Sequence, residues 1–426
     1  MREEFMPEEE KERVVLVGVC TGEEDDFDRS MEELGNLAEA CNMQVVGIVT
    51  QNMEMINKAL YIGTGKVAEV KQLTKEVDAQ LVVFEETLSP SQLRNLQEEL
   101  ELPVMDRTNL ILDIFATRAK SREAKLQVEV ARLKYLLPRL IGMHEALSRQ
   151  GGGSGSLSNK GSGEKKLELD RRKIEHRIAE LSKELEEVSK ERETQRKRRM
   201  DSKVPQVSLA GYTNAGKSTL MNAMVDAYVK EEAKRVLEKD MLFATLETAV
   251  RRIDNGDKRP FYLADTVGFI HKLPHGLIKA FRSTLEEVKN ADLILHVVDY
   301  SDPHHKKHIE VTNETLRELD AGAIPVIYIY NKADLCMEQL PKVMENRIFM
   351  SAKSGEGLEE LVDMITDLLY AGNEDVTFLI PYDKGQVVSY LCENAKVFEQ
   401  EYTENGVRMV VNCAKMDKQK YQMYIV

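Results

Sequence analysis

From Arg13 to about Pro103, short apolar segments alternate with amphipathic segments that have a helical period. The amphipathic segments include Phe27–Ala40 and Pro90–Leu100, which predict helices. The apolar segments predict strands, namely Val14–Val19, Gln44–Thr50, Gln80–Phe84 and a shorter one near Leu102–Met105. Strands that alternate with helices in this way are typical of βαβ units with a parallel sheet. We therefore predict an N-terminal α/β domain over residues 1–105.

Two longer helical patterns follow, within residues 106–203. In the first, apolar side chains recur at spacings of four, three, four and four, at Leu126, Val130, Leu133, Leu137 and Ile141. In the second they recur every seven residues, at Leu167, Ile174, Leu181 and Val188, with Ile178 and Leu185 between them. Heptad-like stripes predict two helices that pack together as an antiparallel hairpin. An arm of about 28 residues would project roughly 40 Å.

The segment between the two patterns, 149–166, is rich in glycine and predicts a loop at the tip of the hairpin. A hairpin turns with far fewer residues, so a plain flexible linker is the weaker interpretation. Basic residues with few carboxylates nearby surround the loop: Arg139, Arg149, Lys160, Lys165, Lys166, Arg171, Arg172 and Lys173. A basic, glycine-rich tip on a rigid arm favours contact with RNA phosphates. A further basic run, Arg196–Arg199, is either a second RNA contact or the solvated end of the helix.

Three short motifs come next, in order: GYTNAGKS at Gly211–Ser218, DTVG at Asp265–Gly268 and NKAD at Asn331–Asp334. An apolar strand, Val207–Ala210, runs into the first motif, and a helical stretch begins at Lys217. This context predicts a phosphate-binding loop whose backbone N–H groups wrap a polyphosphate at a helix N-terminus. Lys217 is expected to neutralise the β- and γ-phosphates, and Ser218 to bind Mg²⁺.

The second and third motifs predict the remaining nucleotide contacts. Asp265 ends a predicted strand, where its carboxylate can hold the metal directly or through water, and Gly268 lets its N–H approach the γ-phosphate. Asp334 can accept from two N–H groups on one edge of guanine, a donor pair that adenine lacks, so GTP is predicted over ATP. The predicted nucleotide-binding residues are Gly211, Asn214, Ala215, Gly216, Lys217, Ser218, Thr219, Asp265, Gly268, Asn331, Lys332, Asp334, Ser351, Ala352 and Lys353.

The remainder of the chain completes the predicted organisation. Residues 204–372 form a predicted P-loop GTPase domain, and residues 373–426 a small α+β domain without a catalytic constellation. The elements expected in the latter are a strand at Val376–Pro381, a helix at Gly385–Ala395, two strands joined at Asn405 and Gly406, and a last strand at Gln422–Val426. The fold class is therefore α/β, with an N-terminal βαβ domain, a long antiparallel helical hairpin, a central GTPase domain and an α+β end.

Composition limits the partners and the compartment. The chain has 426 residues, a net charge of −14 and 42% hydrophobic residues, which is typical of a soluble protein of about two to three domains. Such an acidic chain can bind RNA only through locally concentrated basic residues. The sequence begins without a signal peptide, has no apolar run that could span a membrane, and has five scattered cysteines without metal or disulfide spacing. We expect a cytoplasmic, monomeric protein.

Several longer strings resemble the HflX family of ribosome-associated GTPases. They include LSPSQLRNL at Leu88–Leu96, SRQGGGSG at Ser148–Gly155, LFATLET at Leu242–Thr248 and DTVGFIHKLPHGLIKAF at Asp265–Phe281. The resemblance implies binding to the large ribosomal subunit and its rRNA through the tip 149–166, with ribosome splitting or rescue, notably in heat stress. It also implies that Thr245 closes on Mg²⁺, with Thr248 as the alternative because the usual proline is missing. Lys217, Thr245 and Gly268 are then the expected catalytic residues.

Two further positions bear on the reaction. Phe269 follows Gly268, where many regulatory GTPases have a glutamine that orients water, so hydrolysis is expected to be slow without a partner. Asn214 is either a K⁺ ligand, as in related GTPases, or a residue that stabilises its loop. Two other functions stay open. One is a signalling GTPase that binds only proteins, and the other is an ATP-driven RNA remodeller using Tyr61–Lys66, a segment that otherwise predicts a structural turn.

Overall fold

The computed structural model describes residues 11–22, 27–149, 157–201, 204–229, 243, 248–272 and 282–426. Side chains are described in these ranges except at 141–167, 192, 195, 198, 200, 201 and 282–285. Chain contacts define two compact units: the first has Met1–Arg192, Met241–Leu246 and His271–Arg282, and the second has Glu193–Asp240, Glu247–Ile270 and Ser283–Val426. None of the helices in the described ranges has the length and apolar character that crossing a bilayer requires.

The first unit contains a parallel four-stranded sheet in the order β2-β1-β3-β4. Its strands are β1 (Glu12–Cys20), β2 (Met43–Asn52), β3 (Leu81–Phe84) and β4 (Val104–Asp106). The helices of this region are α1 (Phe27–Ala40), α2 (Thr64–Glu76), α3 (Pro90–Leu100) and α4 (Arg107–Arg118). In the sheet Val15 lies between Gly47 and Val82, and its side chain is fully buried in the core. The predicted alternation of strands and helices is confirmed.

Local capping explains where α3 and α4 begin. Ser89 Oγ accepts from the backbone N–H of Gln92 (3.2 Å), and Gln92 Oε1 accepts from the N–H of Ser89 (3.0 Å). This reciprocal pair satisfies two amides that a helix start leaves without intrahelical partners. Asp106, at the end of β4, plays the same part for α4 because its Oδ1 accepts from the N–H of Asn109 (2.9 Å).

Two long helices, α5 (Arg122–Arg149) and α6 (Leu157–Asp201), form the predicted hairpin. Leu126 and Val130 of α5 pack with Leu181 of α6, and Leu133, Leu185 and Val188 extend this cluster. Arg122 pairs with Glu184 at 2.6 Å, whereas the later α5 residue Glu129 pairs with the earlier α6 residue Arg177 at 3.2 Å. Since the partner moves backward along α6 as α5 moves forward, the two helices are antiparallel. We call this pair of helices the arm.

The predicted tip loop, 149–166, is wrong in its second half, because α6 begins at Leu157. The loop was predicted from the glycine content of this segment. A glycine inside a helix costs only about 1 kcal/mol relative to alanine, and good helix formers such as Glu164 and Lys165 follow Gly161 and Gly163. Residues 150–156 lie outside the described residues, and the side chains of Arg149, Lys160, Lys165 and Lys166 are not described.

The second unit contains a seven-stranded sheet in the order β10-β11-β9-β8-β5-β7-β6. Its strands are β5 (Gln206–Ala210), β6 (Ala249–Ile253), β7 (Phe261–Asp265), β8 (Leu293–Asp299), β9 (Val326–Asn331), β10 (Lys342–Met344) and β11 (Arg347–Phe349). The five central strands run parallel, and the edge strands β6 and β10 are antiparallel to their neighbours. The helices here are α7 (Lys217–Tyr228), α8 (Arg282–Lys289), α9 (His305–Glu318) and α10 (Leu358–Leu369).

The C-terminal part of this unit is a three-stranded antiparallel sheet in the order β12-β14-β13. It comprises β12 (Glu374–Ile380), β13 (Lys396–Thr403) and β14 (Gly406–Cys413), with helices α11 (Gly385–Asn394) and α12 (Lys415–Lys420). The strand predicted at Gln422–Val426 is wrong: Gln422–Tyr424 form a 3-10 turn, and Ile425 makes an isolated bridge to Phe378. Tyr424 and Ile425 pack on the small hydrophobic core of this sheet. The α/β fold class is confirmed.

Candidate nucleotide-binding site

The first motif forms a tight loop between a buried strand and a helix. β5 ends at Ala210, between β7 and β8, and α7 begins at Lys217. Gly211 has a φ of 148°, and a Cβ there would overlap the carbonyl oxygen of Val297. Gly216, which precedes α7, has a φ of 93°. Glycine is therefore required at both positions, and the loop directs the N-terminus of α7 toward the space where a polyphosphate would bind.

Lys217 is buried within this loop. Its Nζ donates to the carbonyl oxygens of Gly211 (2.9 Å) and Tyr212 (2.7 Å). Burial lowers the pKa of Lys217 to about 8, and the nearby carboxylate of Asp265 opposes this effect. A cation that is expensive to bury would be stabilised by a bound anion, so the arrangement suits a phosphate ligand.

The predicted metal ligands Ser218 and Asp265 are in direct contact. Ser218 Oγ donates to Asp265 Oδ2 at 2.8 Å, and Asp265 is fully buried at the end of β7. A hydroxyl oxygen and a carboxylate oxygen are hard donors of the kind that Mg²⁺ prefers. A Cβ on Gly268 would come within 2.9 Å of Lys217 Nζ, so this glycine borders the same space. These residues fit a magnesium–phosphate ligand, and their individual roles stay predictions.

The residue after DTVG is bound to the phosphate loop through its backbone. Phe269 donates its N–H to the oxygen of Gly211 (3.1 Å), and its own oxygen accepts from the N–H of Thr213 (2.8 Å). The Phe269 side chain is only 2% exposed. Because the ring is packed in the core, this position presents no polar group to a water molecule near the phosphate.

Asn331, the first residue of NKAD, links two loops. Its Nδ2 donates to the oxygen of Ala215 (2.9 Å), and its Oδ1 accepts from the N–H of Ala352 (2.9 Å). A Cβ on Gly216 would overlap this amide, which is a second reason for glycine there. Asn331 therefore holds the phosphate loop and the segment that begins at Ser351 at a set spacing, and Ser351 and Ala352 are both buried.

The other residues of the predicted base site lie on the surface side of these loops. Lys332 has a φ of 58°, and its Nζ donates to Asp299 Oδ2 at 2.7 Å. Asp334 lies exposed in the 3-10 turn Ala333–Leu335, and Lys353 is exposed as well. The carboxylate of Asp334 is thus accessible for a base, and its selectivity for guanine stays a prediction.

Three predicted residues have less structural definition. Thr245 lies outside the described residues. Its alternative, Thr248, directly precedes β6, whose first residue Ala249 pairs with Asp265. Asn214 is exposed in the phosphate loop with a φ of 60°, and Thr219 lies half-buried in the first turn of α7. The choice between Thr245 and Thr248 and the K⁺ role of Asn214 therefore stay open.

The sequence analysis missed two partners of the predicted motifs. The ring of Tyr212 stacks on His308 of α9 with centroids 3.9 Å apart and planes 19° apart. Asp299, the partner of Lys332, ends β8 in the same way that Asp265 ends β7. The strand-end position could have singled out Asp299, since polar residues at the carboxyl ends of parallel strands commonly form sites. No local pattern marks His308, because its contact depends on where α9 crosses the loop.

The two residues after Ile270 belong to the first unit. Lys272 Nζ lies 3.0 Å from Glu85 Oε1 and 2.5 Å from Glu86 Oε1, directly after β3. Arg107 donates to the backbone oxygen of His271 at 3.0 Å and pairs with Glu33. Glu85 is fully buried and also accepts from Ser30, so these contacts hold the segment after DTVG firmly. Sequence analysis assigned no role to these residues.

The expected basic surface around the tip differs from the prediction at Arg139. Arg139 Nη2 donates to Asp106 Oδ2 (3.0 Å) and to the oxygen of Leu88 (2.9 Å), and its guanidinium lies 3.3 Å from the centre of the Tyr135 ring. Asp106 is fully buried. A residue that neutralises a buried carboxylate is not available for RNA, so Arg139 has a structural role.

The statement that the other flanking cations have few carboxylates nearby is also wrong. Each described one pairs with a carboxylate one turn away on α6: Arg171 with Glu175, Arg172 with Glu168, and Lys173 with Asp170. In the run Arg196–Arg199, Arg196 and Arg199 pair with Glu286 and Glu287 of α8 and so fit neither predicted alternative. Lys197 is exposed and the side chain of Arg198 is not described, so the choice stays open for these two residues. The pairs within α6 follow from the helical spacing of three and four, whereas the pairs with α8 depend on where the two helices cross.

The segment Tyr61–Lys66 forms a turn into α2, as predicted from its spacing. Tyr61 and Ile62 are buried in the core of the first unit, and the backbone of Tyr61 bonds to that of Asn57. Lys66 pairs with Glu69 at 2.7 Å on the same helix. The buried side chains of Tyr61 and Ile62 thus give this segment a structural role in the core of the first unit.

Four family descriptions match consecutive parts of the chain. Residues 28–116 match "GTP-binding GTPase N-terminal", residues 118–199 match "GTP-binding GTPase Middle Region", and residues 206–332 match "50S ribosome-binding GTPase". Residues 336–423 match "HflX C-terminal domain". Together the four matches extend from residue 28 to residue 423, with short gaps between them.

Relatives named GTPase HflX resemble the chain over nearly its whole length. That of Caldanaerobacter subterraneus subsp. tengcongensis is 44% identical over 419 residues, which cover 98% of this chain and 94% of that protein. That of Escherichia coli K12 is 38% identical over 421 residues, 96% of each. A solved GTP-binding protein of the archaeon Sulfolobus solfataricus, in complex with GDP, is 25% identical to this chain. The match covers 84% of this chain and 98% of that protein's chain, with a TM-score of 0.43.

Proposed function

The chain belongs to the HflX family of GTPases, and on that basis we propose that it acts on ribosomes, with its arm contacting the rRNA of the large subunit. The observation that carries this proposal is the joint presence of a phosphate site and a long, two-helix arm in one chain. The name of the family that matches residues 206–332, a 50S ribosome-binding GTPase, points to the same partner. We further propose that GTP hydrolysis times release and that binding splits or rescues ribosomes under stress.

The chemistry at the phosphate site follows from the described contacts. Lys217 would exchange its two carbonyl partners for the β- and γ-phosphate oxygens, to which its charge is better suited. Ser218 and Asp265 would hold Mg²⁺, together with Thr245 or Thr248, and the metal would neutralise charge that develops on the phosphates. Gly268 would donate its N–H to the γ-phosphate. These residues bind and orient the nucleotide.

Hydrolysis needs a group that orients water, and the residue after Gly268 is unsuited to that task. Phe269 is buried and its backbone is engaged with the phosphate loop. We therefore propose that intrinsic turnover is slow and that the ribosome completes the site. K⁺ held by Asn214 is a further candidate for charge stabilisation, and comparing turnover in KCl and NaCl at equal ionic strength tests it.

Contact of the arm with RNA is compatible with the ion pairs of the described cations that flank its tip. The pairs of Arg171, Arg172 and Lys173 are exposed, and exposed ion pairs are weak. A phosphate group can replace a carboxylate in such a pair at little cost. Arg139 differs because its partner Asp106 is buried. RNA contact is therefore expected toward the tip, with Lys160, Lys165 and Lys166 as the strongest sequence candidates.

Sedimentation with purified ribosomal subunits tests the proposal. We expect the protein to sediment with the large subunit when it holds a non-hydrolysable GTP analogue and much less when it holds GDP. Replacing Lys160 and Lys165 by glutamine should weaken binding at least tenfold and reduce its salt dependence. Lys415→Gln with Lys420→Gln, an equal charge change on α12, is the matched control. Equal sedimentation of both nucleotide states, or no sedimentation, would refute the proposal and favour a GTPase that binds only proteins.

A further inference from the structure

Thr213 carries a buried hydroxyl within the phosphate loop. The residue is only 6% exposed, and its Oγ1 has no hydrogen-bond partner among the residues that the structure describes. Burying a hydroxyl without a partner costs free energy, so most buried hydroxyls in proteins are hydrogen-bonded. An exception inside a ligand-binding loop favours a partner that the bound ligand supplies.

The backbone fixes the position of Thr213. Its N–H donates to the oxygen of Phe269 (2.8 Å), and the N–H of Phe269 donates to the oxygen of Gly211 (3.1 Å). Tyr212 lies between the two loop residues and forms a parallel bridge with Phe269. The phosphate loop is thus attached to the residue that directly follows DTVG. Thr213 therefore has a set position relative to Gly268, the last residue of that motif.

Thr213 and Lys217 border one small space beside Gly268. A Cβ placed on Gly268 would lie 2.9 Å from Lys217 Nζ and 2.9 Å from both Cα and Cγ2 of Thr213. The N–H of Gly268 and the ammonium group of Lys217 are the groups expected to hold the γ-phosphate. The side chain of Thr213 thus borders the space in which the terminal phosphate of GTP is expected.

The hydroxyl of Thr213 can reach this space by a change of rotamer. The side-chain atom that now borders the space is the methyl carbon Cγ2. No hydrogen bond to a described residue holds Oγ1 in its present direction. A rotation of about 120° around the Cα–Cβ bond, from one staggered rotamer to another, would bring Oγ1 to the place of Cγ2. The hydroxyl would then donate to a phosphate oxygen, which is a strong acceptor.

We infer that the hydroxyl of Thr213 binds the γ-phosphate of GTP and so raises the affinity for GTP relative to GDP. This contact rests on the phosphate site of the proposed function, but it requires no ribosome. GDP lacks the γ-phosphate, so it cannot supply this partner. A hydrogen bond to a charged group contributes about tenfold or more to affinity, and here the whole contribution falls on GTP.

Thr213→Val tests the contact, because valine has nearly the shape of threonine and lacks the hydroxyl. The measured quantities are the Kd of a fluorescent, non-hydrolysable GTP analogue and the Kd of fluorescent GDP, both with Mg²⁺ present. Thr213→Val should weaken binding of the analogue about tenfold and change binding of GDP less than twofold. Thr213→Ser retains the hydroxyl and should keep both Kd values within threefold of those of the natural chain.

Thr312 of α9 provides the matched control. Its side chain is fully buried in the same unit, and its Oγ1 also has no partner among the described residues. Thr312→Val makes the same chemical change outside the phosphate loop and should leave both Kd values unchanged. Without nucleotide, both valine variants should unfold at or above the temperature of the natural chain, because each removes an unpartnered buried hydroxyl.

The outcomes distinguish this contact from the phosphate site itself. If the natural chain binds neither nucleotide, the proposed phosphate site fails and the role of Thr213 fails with it. If the natural chain binds both and Thr213→Val keeps the natural ratio of the two Kd values, only the role of Thr213 is overturned. Lower unfolding temperature of nucleotide-free Thr213→Val, without a similar loss in Thr312→Val, also overturns it, because the hydroxyl then has a partner within the protein.

Discussion

Ser218 Oγ donates a hydrogen bond of 2.8 Å to Asp265 Oδ2, joining the first turn of α7 to the end of β7. The two residues come from different motifs, and the fold brings them together beside Lys217. The contact marks the predicted metal position, where Ser218 would be a ligand and Asp265 would hold the metal directly or through water.

Ser218→Ala should lower single-turnover GTP hydrolysis by about 100-fold or more if Ser218 is the predicted Mg²⁺ ligand, because transition-state charge stabilisation depends on that metal. Raising the Mg²⁺ concentration should restore part of the loss. Ser91→Ala, on the exposed start of α3, is the control and should have no effect. Hydrolysis within threefold of the natural chain would show that Ser218 is not a ligand.

Because the pKa of Lys217 is lowered, we expect nucleotide binding to be coupled to the uptake of a proton. This pKa is lowered to about 8 in the nucleotide-free protein, so above that pH the side chain loses its proton. A bound polyphosphate favours the charged form, and binding must then take up a proton. Affinity for GTP should fall as the pH rises above about 8. Calorimetry in buffers of different ionisation enthalpy measures the uptake, which should vanish in Lys217→Arg because arginine stays charged.

Asp334→Asn should change the base preference. An asparagine presents an NH₂ donor where the aspartate presents only acceptor oxygens. The N–H groups on that edge of guanine would then face another N–H donor and lose a hydrogen bond. GTP affinity should fall by at least tenfold, and xanthosine triphosphate, which has an oxygen at that edge, should bind better than GTP. Competition against a fluorescent nucleotide measures both. An unchanged order of affinities would place the base elsewhere.

Arg139→Met should destabilise the first unit by roughly 3 kcal/mol, because it leaves the buried carboxylate of Asp106 without its cation. Urea unfolding followed by circular dichroism gives the change. Arg172→Met removes an exposed cation from the arm and should leave the unfolding midpoint almost unchanged. Equal midpoints for the two variants would mean that the Asp106 contact does not stabilise the fold.

Phe269→Gln should not create a faster enzyme, although glutamine is the water-orienting residue of many GTPases. The Phe269 side chain is buried, so the variant should lose about 3 kcal/mol of stability, while its intrinsic hydrolysis stays within threefold of the natural rate. Thermal unfolding and single-turnover assays measure the two effects. A tenfold acceleration would show that the position faces the phosphate after all.

The sequence by itself determined most of the elements and the order of the nucleotide motifs. Hydrophobic periods are local properties, so the strands of the first sheet and the stripe of Leu126, Val130 and Leu181 could be identified from spacing alone. The phosphate loop was equally predictable because its glycines and Lys217 are needed within eight residues of one another. The start of helix α6 was predicted incorrectly, because the glycine-rich composition indicated a loop although good helix formers follow the glycines.

Only the tertiary structure decided which charges are engaged. Arg139 meets Asp106 at a separation of 33 residues, and Arg199 meets Glu287 at a separation of 88. A charged side chain can pair with any of many opposite charges, and the choice depends on how the helices that carry them cross. The sequence alone suggested RNA contact for Arg139, but the tertiary structure pairs it with the buried Asp106. The sequence left the role of Arg199 open, and the tertiary structure pairs it with Glu287 of α8.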